Sequence, residues 1–191
     1  MLEYLQEIDT SLFLFLNGLH NLFFDKIMTV ISGKLTWIPL YLTAIFFIFK
    51  KLGTKRGIIT FISFVIVIAL ADLTSVHLFK NIFERLRPCH NEAIQNMVHI
   101  VNNHCGGSFG FVSSHAANSY AFAVFSLLLF KNKKYSIAII IWASIVAYSR
   151  VYLGVHYPVD ILGGAILGSF IAFAIYKIYQ KLFFRNKISN T

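Results

Sequence analysis

The sequence predicts an all-α membrane protein, a polytopic bundle of five or six transmembrane helices preceded by interfacial helices at the N-terminus. Two observations support this fold class. Of the 191 residues, 57% are hydrophobic and only 13% are charged, which is too apolar for an ordinary soluble domain. The charged residues gather in short clusters between long apolar runs, as they do between membrane-spanning helices. A chain of this length forms one domain, so residues 1–191 are expected to be a single integral-membrane unit.

The basic residues are distributed as in a membrane protein and not as in a nucleic-acid-binding protein. The formal net charge is +9, yet the lysines and arginines do not form one patch. Eleven of the 17 lie in three short hydrophilic segments: Lys50, Lys51, Lys55 and Arg56; Lys131, Lys133 and Lys134; and Lys177, Lys181, Arg185 and Lys187. Such clusters mark the cytoplasmic ends of spans, so we expect a lipid bilayer, and no nucleic acid, as the partner.

The first 34 residues predict one or two amphipathic helices in the membrane interface. Glu3, Glu7 and Asp9 precede the first lysine, unlike the basic start of a signal peptide, so we expect this segment to be retained. Polar residues interrupt the apolar run 12–24, which covers only about 20 Å, against roughly 30 Å of hydrocarbon. A short first span is the alternative.

Apolar segments predict five membrane spans, at residues 35–49, 57–79, 114–130, 135–147 and 159–175. If these spans alternate in direction with the basic turns inside, residues 80–115 form an extracytoplasmic loop. The segment 149–160 then reaches the same face of the membrane, so the ionisable residues of both stretches converge. Gly164 and Gly168 stand four residues apart in the last span, a spacing that allows close helix packing.

The segment 149–160 (SRVYLGVHYPVD) places a serine, an arginine, a histidine and an aspartate between two strongly apolar segments. Charges at membrane depth are costly, which makes an ionisable cluster there a candidate functional site. Pro158 suits the first position of a helix, and Asp160 in the first turn can then reach His156. A carboxylate on one ring nitrogen fixes the tautomer and leaves the other nitrogen free to attack. A structural hydrogen bond at a helix start, with Arg150 extending to the interface, is the alternative.

Two further segments, residues 80–88 (KNIFERLRP) and 112–115 (VSSH), accompany this one. In order, the three resemble the motifs of the type-2 phosphatidic-acid phosphatase family, membrane subgroup. That family has lysine, six residues and arginine-proline; then proline-serine-glycine-histidine; then serine-arginine, five residues, histidine, three residues and aspartate. The first and third motifs match fully. The second departs at Val112, where proline is usual, and at Ser114, where glycine is usual, which leaves the fit of the substrate open.

Residue chemistry and the resemblance imply the same roles. Cationic side chains and the N–H groups at the N-terminus of a helix are suited to bind phosphate oxygens. The predicted phosphate-binding residues are Lys80, Arg87, Ser113, Ser114 and Arg150. His156 is the expected nucleophile, Asp160 holds its ring, and His115 protonates the leaving oxygen and then activates water. A two-metal phosphatase would need several converging carboxylates, and few are expected at this face, so we predict a metal-free site with no cofactor.

Two charged residues near these motifs are open to more than one interpretation. Arg85 lies two residues before Arg87 and could take its role, but the motif assigns phosphate binding to Arg87. Asp72 lies within a predicted span and needs a partner, which His77 or another polar group of the bundle could supply. An alternative role for Asp72 is to orient Lys80.

Cys89 and Cys105 both lie in the long loop. An even pair of cysteines on the outer side of a membrane favours a disulfide. A zinc site is one alternative, because Cys89-His90 and His104-Cys105 could supply four ligands. Free thiols are the other alternative.

The predicted position of the site points to a lipid phosphate as the substrate. A phosphate head group can enter at the outer membrane face while its lipid tail stays in the bilayer. Undecaprenyl pyrophosphate, phosphatidate, phosphatidylglycerol phosphate and lipid A phosphates all fit this description, and the small size favours the bacterial polyprenyl lipid and the inner membrane. A lipid phosphotransferase is the alternative enzyme class, and a transporter or channel is the non-enzymatic one.

Overall fold

The computed structural model describes residues 2–188, with side chains over residues 3–182, and this part of the chain is helical with no strands. The all-α prediction is therefore confirmed. Three short 3₁₀ turns lie in the segment between α4 and α5, at Pro88–His90, Gln95–Met97 and Val101–Asn103. The helices are α1 (Leu2–Gly18), α2 (Leu22–Ser32), α3 (Ile38–Thr74), α4 (Asn81–Phe83), α5 (Ser114–Phe130), α6 (Lys133–Tyr152) and α7 (Pro158–Ile188).

The N-terminal segment forms two helices, α1 and α2, joined by a short turn in which Asn21 caps α2 by accepting from the Phe24 N–H at 2.9 Å. The inner face of α1 is docked on the bundle. Phe13 is buried against Tyr157, with ring centroids 5.3 Å apart, and Asn17 donates to the Tyr152 carbonyl at 2.8 Å. The opposite faces carry many exposed apolar side chains. A position in the membrane interface remains a prediction.

Helix α3 is a hairpin of two helical arms. Gly53 has φ 70° and ψ 175°, which breaks the helix between residues 52 and 54 and which a residue without Cβ adopts readily. Tyr41 and Phe64 both pack on Phe122, at 4.9 and 5.3 Å between ring centroids. On a straight helix they would lie about 35 Å apart. The chain therefore folds back at Gly53, and the predicted turn over residues 50–56 narrows to one non-helical residue.

Helices α5 and α7 pack closely because their facing residues are small. A Cβ added to Gly168 would lie 2.0 Å from the carbonyl oxygen of Ala117, and one added to Gly164 would lie 2.5 Å from that of Ser113. Both glycines allow backbone to meet backbone, so their predicted packing role is confirmed. The contact places the N-terminal ends of α5 and α7 side by side.

Helix α6 is longer than predicted, because it runs to Tyr152 and includes Ser149 and Arg150 in its last turns. The predicted end at residue 147 was wrong. Arg150 therefore projects from a helix and not from a loop. After α6 the chain turns at Gly154, whose φ is 78°, and delivers His156 to the start of α7.

Three segments of the described chain are long and apolar enough to cross a membrane: Leu35–Phe83, Lys133–Tyr152 and Pro158–Leu182. The first contains both arms of the α3 hairpin, and α5 is a shorter apolar helix of 17 residues. The count of five or six spans remains a prediction.

Replacing Gly168 with alanine should destabilise the protein, because the new methyl group would collide with backbone and not with a flexible side chain. Overpacking of this kind costs about 1–3 kcal/mol. Thermal unfolding of the purified protein in detergent measures the effect. Gly18→Ala is the matched control, since its Cβ would have nothing within 4 Å. Equal Tm values for the two variants would contradict the backbone contact.

Candidate active site

The loop between α4 and α5 is held in shape by backbone and covalent contacts. Leu86 and Phe109 form an isolated antiparallel bridge, and the Gly110 N–H donates to the Arg85 carbonyl at 2.8 Å. Cys89 and Cys105 are joined as a disulfide, with Cα atoms 6.1 Å apart. His90 lies close to both sulfurs, whereas His104 is outside this group, so the four-ligand zinc alternative does not assemble.

Arg87 is fixed by this loop. Its Nη1 donates to the Cys105 carbonyl at 2.9 Å and its Nε to the Phe109 carbonyl at 3.2 Å, and only 9% of the residue is exposed. Burial lowers the pKa of the guanidinium, and the Asp160 carboxylate opposes that shift. Arginine stays protonated in proteins, so a rigid cation faces the site.

The N-terminus of α5 separates the two serines of the second motif. Ser113 is the N-cap: its hydroxyl accepts from the Ala116 N–H, its own N–H donates to the Asp160 carbonyl at 3.0 Å, and it is fully buried. The Ser114 hydroxyl instead accepts from Lys80 Nζ at 2.9 Å and from the Ser75 hydroxyl at 2.7 Å. Ser114 therefore faces the site, whereas Ser113 supports it.

His156 and Asp160 form the pair expected from their spacing. His156 Nδ1 lies 3.3 Å from Asp160 Oδ2, which also accepts from the Tyr157 N–H at 3.0 Å. Burial lowers the pKa of His156 to about 4, opposed by Asp160 and reinforced by Arg87 and Arg150. The imidazole is therefore neutral near pH 7. With Nδ1 turned to the carboxylate, Nε2 keeps its lone pair.

Two residues support this pair that sequence reasoning did not assign to it. Arg85 donates to Asp160 Oδ1 at 2.9 Å and to Asp9 Oδ2 at 2.7 Å, and its guanidinium lies 4.1 Å from the Tyr157 ring centroid. Asp9, in α1, also accepts from the Val159 N–H at 2.9 Å. Arg85 thus neutralises two buried carboxylates. The pairing of Arg85 with Asp9, 76 residues apart, left no local pattern in the sequence.

Arg150 reaches the site from α6. Its Nη1 donates to the hydroxyl of Ser32, at the end of α2. Its Nε is buried without a hydrogen-bond partner among the described residues. A buried donor left unpaired costs about 1–3 kcal/mol, and a phosphate oxygen is a suitable acceptor for it.

One cavity of about 890 Å³ unites most of the predicted site. Of the eight residues, six line it: Lys80, Arg87, Ser114, His115, Arg150 and His156. Asp160 and Ser113 lie behind this surface. The rest of the wall is largely apolar and comes from both arms of α3 and from α5, including Tyr41, Ala44, Ile45, Ile48, Phe61, Phe64, Val65, Ile68 and Phe122.

Asp72 also lines this cavity, and its partner is not His77. Asn118 Nδ2 donates to Asp72 Oδ1 at 2.9 Å. Of the two predicted partners, His77 or another polar group of the bundle, the second is therefore confirmed, because Asn118 belongs to α5. The hydrogen bond between Asp72 and Asn118 links α3 to α5, eight residues before Lys80 in the chain.

Comparisons with known proteins identify the family of this chain. The profile of the PAP2 superfamily matches residues 60–184. A lipid A 4′-phosphatase of Bacteroides thetaiotaomicron is 40% identical over 183 residues, covering 95% of this chain and 81% of that protein. An undecaprenyl-diphosphatase of Sulfolobus acidocaldarius is 39% identical over 137 residues, covering 72% of this chain and 60% of that protein.

A solved structure has the same fold. It is the transmembrane PAP2 type phosphatidylglycerolphosphate phosphatase of Bacillus subtilis, with a TM-score of 0.72 and 24% identity, covering 93% of this chain and 87% of that one. The profile match spans well over half of the chain and contains all three motifs. The chain therefore belongs to the PAP2 superfamily, as an integral-membrane phosphatase that hydrolyses lipid phosphates.

Proposed function

We propose that this protein removes the 4′-phosphate of lipid A at the extracytoplasmic face of the inner membrane, through a phosphohistidine on His156. The observation that carries the proposal is the shape and chemistry of the 890 Å³ cavity. Cations and two histidines line one part of it, and apolar side chains line the rest. A phosphorylated lipid has the same division between head group and chains.

The substrate assignment follows from the extent of the similarity. The lipid A 4′-phosphatase aligns over 95% of the chain, which includes most of the 59 residues that precede the superfamily match. Those residues build part of the site, through Asp9 and Ser32. The undecaprenyl-diphosphatase of Sulfolobus acidocaldarius aligns over 72% of the chain, and that of Bacillus subtilis aligns over 85% but with only 25% identity. Undecaprenyl pyrophosphate, which the small size of the chain had favoured, therefore becomes the second choice.

Two steps account for hydrolysis at such a site. His156 Nε2 attacks phosphorus while the bond from phosphorus to the leaving oxygen breaks. His115, which enters the step as the imidazolium because the bound phosphate anion favours its proton, gives that proton to the leaving oxygen. Water then attacks the phosphohistidine, His115 takes the proton, and the P–N bond breaks to release inorganic phosphate. Lys80, Arg87 and Arg150 stabilise the charge that spreads over the three non-bridging oxygens.

The distribution of basic residues supports the proposed face. Lys51 Nζ lies 3.5 Å from the Phe130 carbonyl, so the turn of the α3 hairpin and the basic turn after α5 share one end of the bundle. The catalytic groups are at the opposite ends of α3 and α5. With the basic turns in the cytoplasm, the site opens on the outer side.

The substrate assignment predicts an order of activity. Purified protein in detergent should release phosphate from lipid A 4′-phosphate with a higher kcat/KM than from undecaprenyl pyrophosphate or phosphatidate. Phosphate release at several lipid concentrations measures this order. A higher kcat/KM for undecaprenyl pyrophosphate would overturn the assignment. Transfer of label to an added alcohol in preference to water would indicate a phosphotransferase.

His156→Ala should abolish turnover and labelling of the protein, because it removes the attacking atom. His115→Ala should lose about 10²–10⁴-fold in rate and should accumulate phosphoprotein with a substrate that has a good leaving group. Rapid quench with labelled substrate distinguishes the two. The control is His77→Ala, an exposed histidine that does not line the 890 Å³ cavity. Label on the His156→Ala protein would show that another residue is the nucleophile.

Arg85 and Asp9 are expected to act as positioning residues. Arg85→Gln removes the cation that neutralises Asp160. The uncompensated carboxylate should then stabilise protonated His156, which raises the pKa of His156. The acid limb of kcat/KM, set by protonation of the free nucleophile, should move to higher pH, and kcat should fall about 10²-fold through misplacement of the ring. A pH profile of kcat/KM measures both effects.

Arg85→Lys should restore the position of the acid limb, because it keeps the charge. Asp9→Asn is the milder variant, since an amide oxygen can still accept from the Val159 N–H, and it should lower kcat with little change in KM. A purely structural role for Arg85 would lower thermal stability but leave the acid limb in place.

The disulfide should matter for activity, and metals should not. Reduction should raise KM, because the Cys105 carbonyl that holds Arg87 becomes mobile, and excess chelator should leave turnover unchanged. The double variant Cys89→Ser/Cys105→Ser should show the raised KM without reductant and no further response to it. One equivalent of zinc in the purified wild-type protein would overturn both expectations.

A further inference from the structure

A second cavity of about 370 Å³ adjoins the catalytic one. The two share five residues: Ser32, Gly33, Lys34, His115 and Arg150. Its volume lies within the range of about 300–1,000 Å³ that is typical of small-ligand sites. We propose that this cavity binds the sugar part of a phosphorylated glycolipid, and that Lys34 and Asn102 are specificity-determining residues. The inference rests on the proposed function and identifies the head-group subsite of the same active site.

The lining of this cavity suits hydroxyl and anionic groups. Thr29, Lys34, Asn102, His104 and Arg150 contribute a hydroxyl, an ammonium, an amide, an imidazole and a guanidinium. No carboxylate is among the described residues that line it. Sugar hydroxyls and phosphate oxygens can pair with such groups, whereas an ammonium head group would find no counter-charge. The surface therefore favours a saccharide over a choline or ethanolamine head group.

The position of the 370 Å³ cavity suits a group that is attached to phosphorus through the leaving oxygen. His115 and Arg150 line both cavities. His115 is the proposed proton donor to the leaving oxygen, and Arg150 is a proposed phosphate ligand. A sugar joined to phosphorus through that oxygen can extend past His115 into the smaller cavity while its acyl chains remain among the apolar side chains of the larger one.

Lys34 lies in the turn after α2, and hydrogen bonds within this turn hold its backbone in place. At the end of α2, the Gly33 N–H donates to the Val30 carbonyl at 3.0 Å. The Thr36 hydroxyl donates to the same carbonyl at 2.6 Å, and Trp37 Nε1 donates to the Ile31 carbonyl at 2.8 Å. Ordering this backbone in advance reduces the entropy lost on binding, as expected of a recognition element.

The same turn lies outside the part of the chain that the superfamily profile matches, residues 60–184. The groups proposed to act on phosphate lie inside that range. Residues 32–34 therefore supply contacts that the shared catalytic core does not, and such contacts can set the choice of substrate. The alignment with the lipid A 4′-phosphatase extends over most of this N-terminal part.

The test is the ratio of two kcat/KM values, one for lipid A 4′-phosphate and one for phosphatidate, which has no sugar. Lys34→Ala should lower this ratio about ten- to hundred-fold, the effect of one lost charge-assisted hydrogen bond. Asn102→Gly should lower it too. Glycine removes the amide while keeping the positive φ of 57° at this position.

Lys26→Ala is the matched control, because Lys26 belongs to α2 and lines neither cavity; its ratio should equal that of the wild type. If Lys34→Ala lowers kcat/KM equally for both substrates, Lys34 contacts only the phosphate that the two have in common. That result would overturn the proposed sugar subsite and leave the proposed function intact. A wild-type protein that hydrolyses phosphatidate but not lipid A 4′-phosphate would overturn the substrate assignment and the subsite with it.

Discussion

The arrangement of the active site depends on one buried carboxylate, that of Asp160. It is fully shielded from solvent, and an unpaired charge in such a place would cost several kcal/mol. His156, the Tyr157 N–H and Arg85 together satisfy both of its oxygens. His156 and Tyr157 lie in the segment that leads into α7, whereas Arg85 ties the loop before α5 to the same point. The need to compensate one charge therefore orients His156, the proposed nucleophile, and holds the loop before α5.

The N-terminal helices are part of the catalytic unit and not an appendage. Asp9 in α1 completes the charge balance around Arg85, and Ser32 at the end of α2 binds Arg150. Both contacts reach residues of the site from outside the superfamily match. Residues 60–184 can thus keep the chemistry that the superfamily shares, while α1 and α2, which pack on them, change the shape of the cavity.

The departure at Ser114 has a defined consequence. Glycine is usual in this position of the motif, and here the hydroxyl accepts from both Lys80 and Ser75. The Ser114 side chain gives Lys80 Nζ a hydrogen-bond partner before substrate enters. Pre-organisation of this kind lowers the reorganisation needed when phosphate enters. The hydroxyl also occupies space in the 890 Å³ cavity beside Lys80, where a substrate head group is proposed to bind.

The sequence by itself determined the features that depend on short-range geometry: the start of α7 at Pro158, the pairing of His156 with Asp160, and the close packing at Gly168. Each follows from residues within one or two helical turns, or from the space that a missing side chain leaves. Only the tertiary structure decided which serine of the second motif faces the cavity, that Arg85 serves Asp160, and that Lys34 reaches the site. Those contacts join residues far apart in the chain, and helical periodicity carries no information about which distant faces will meet.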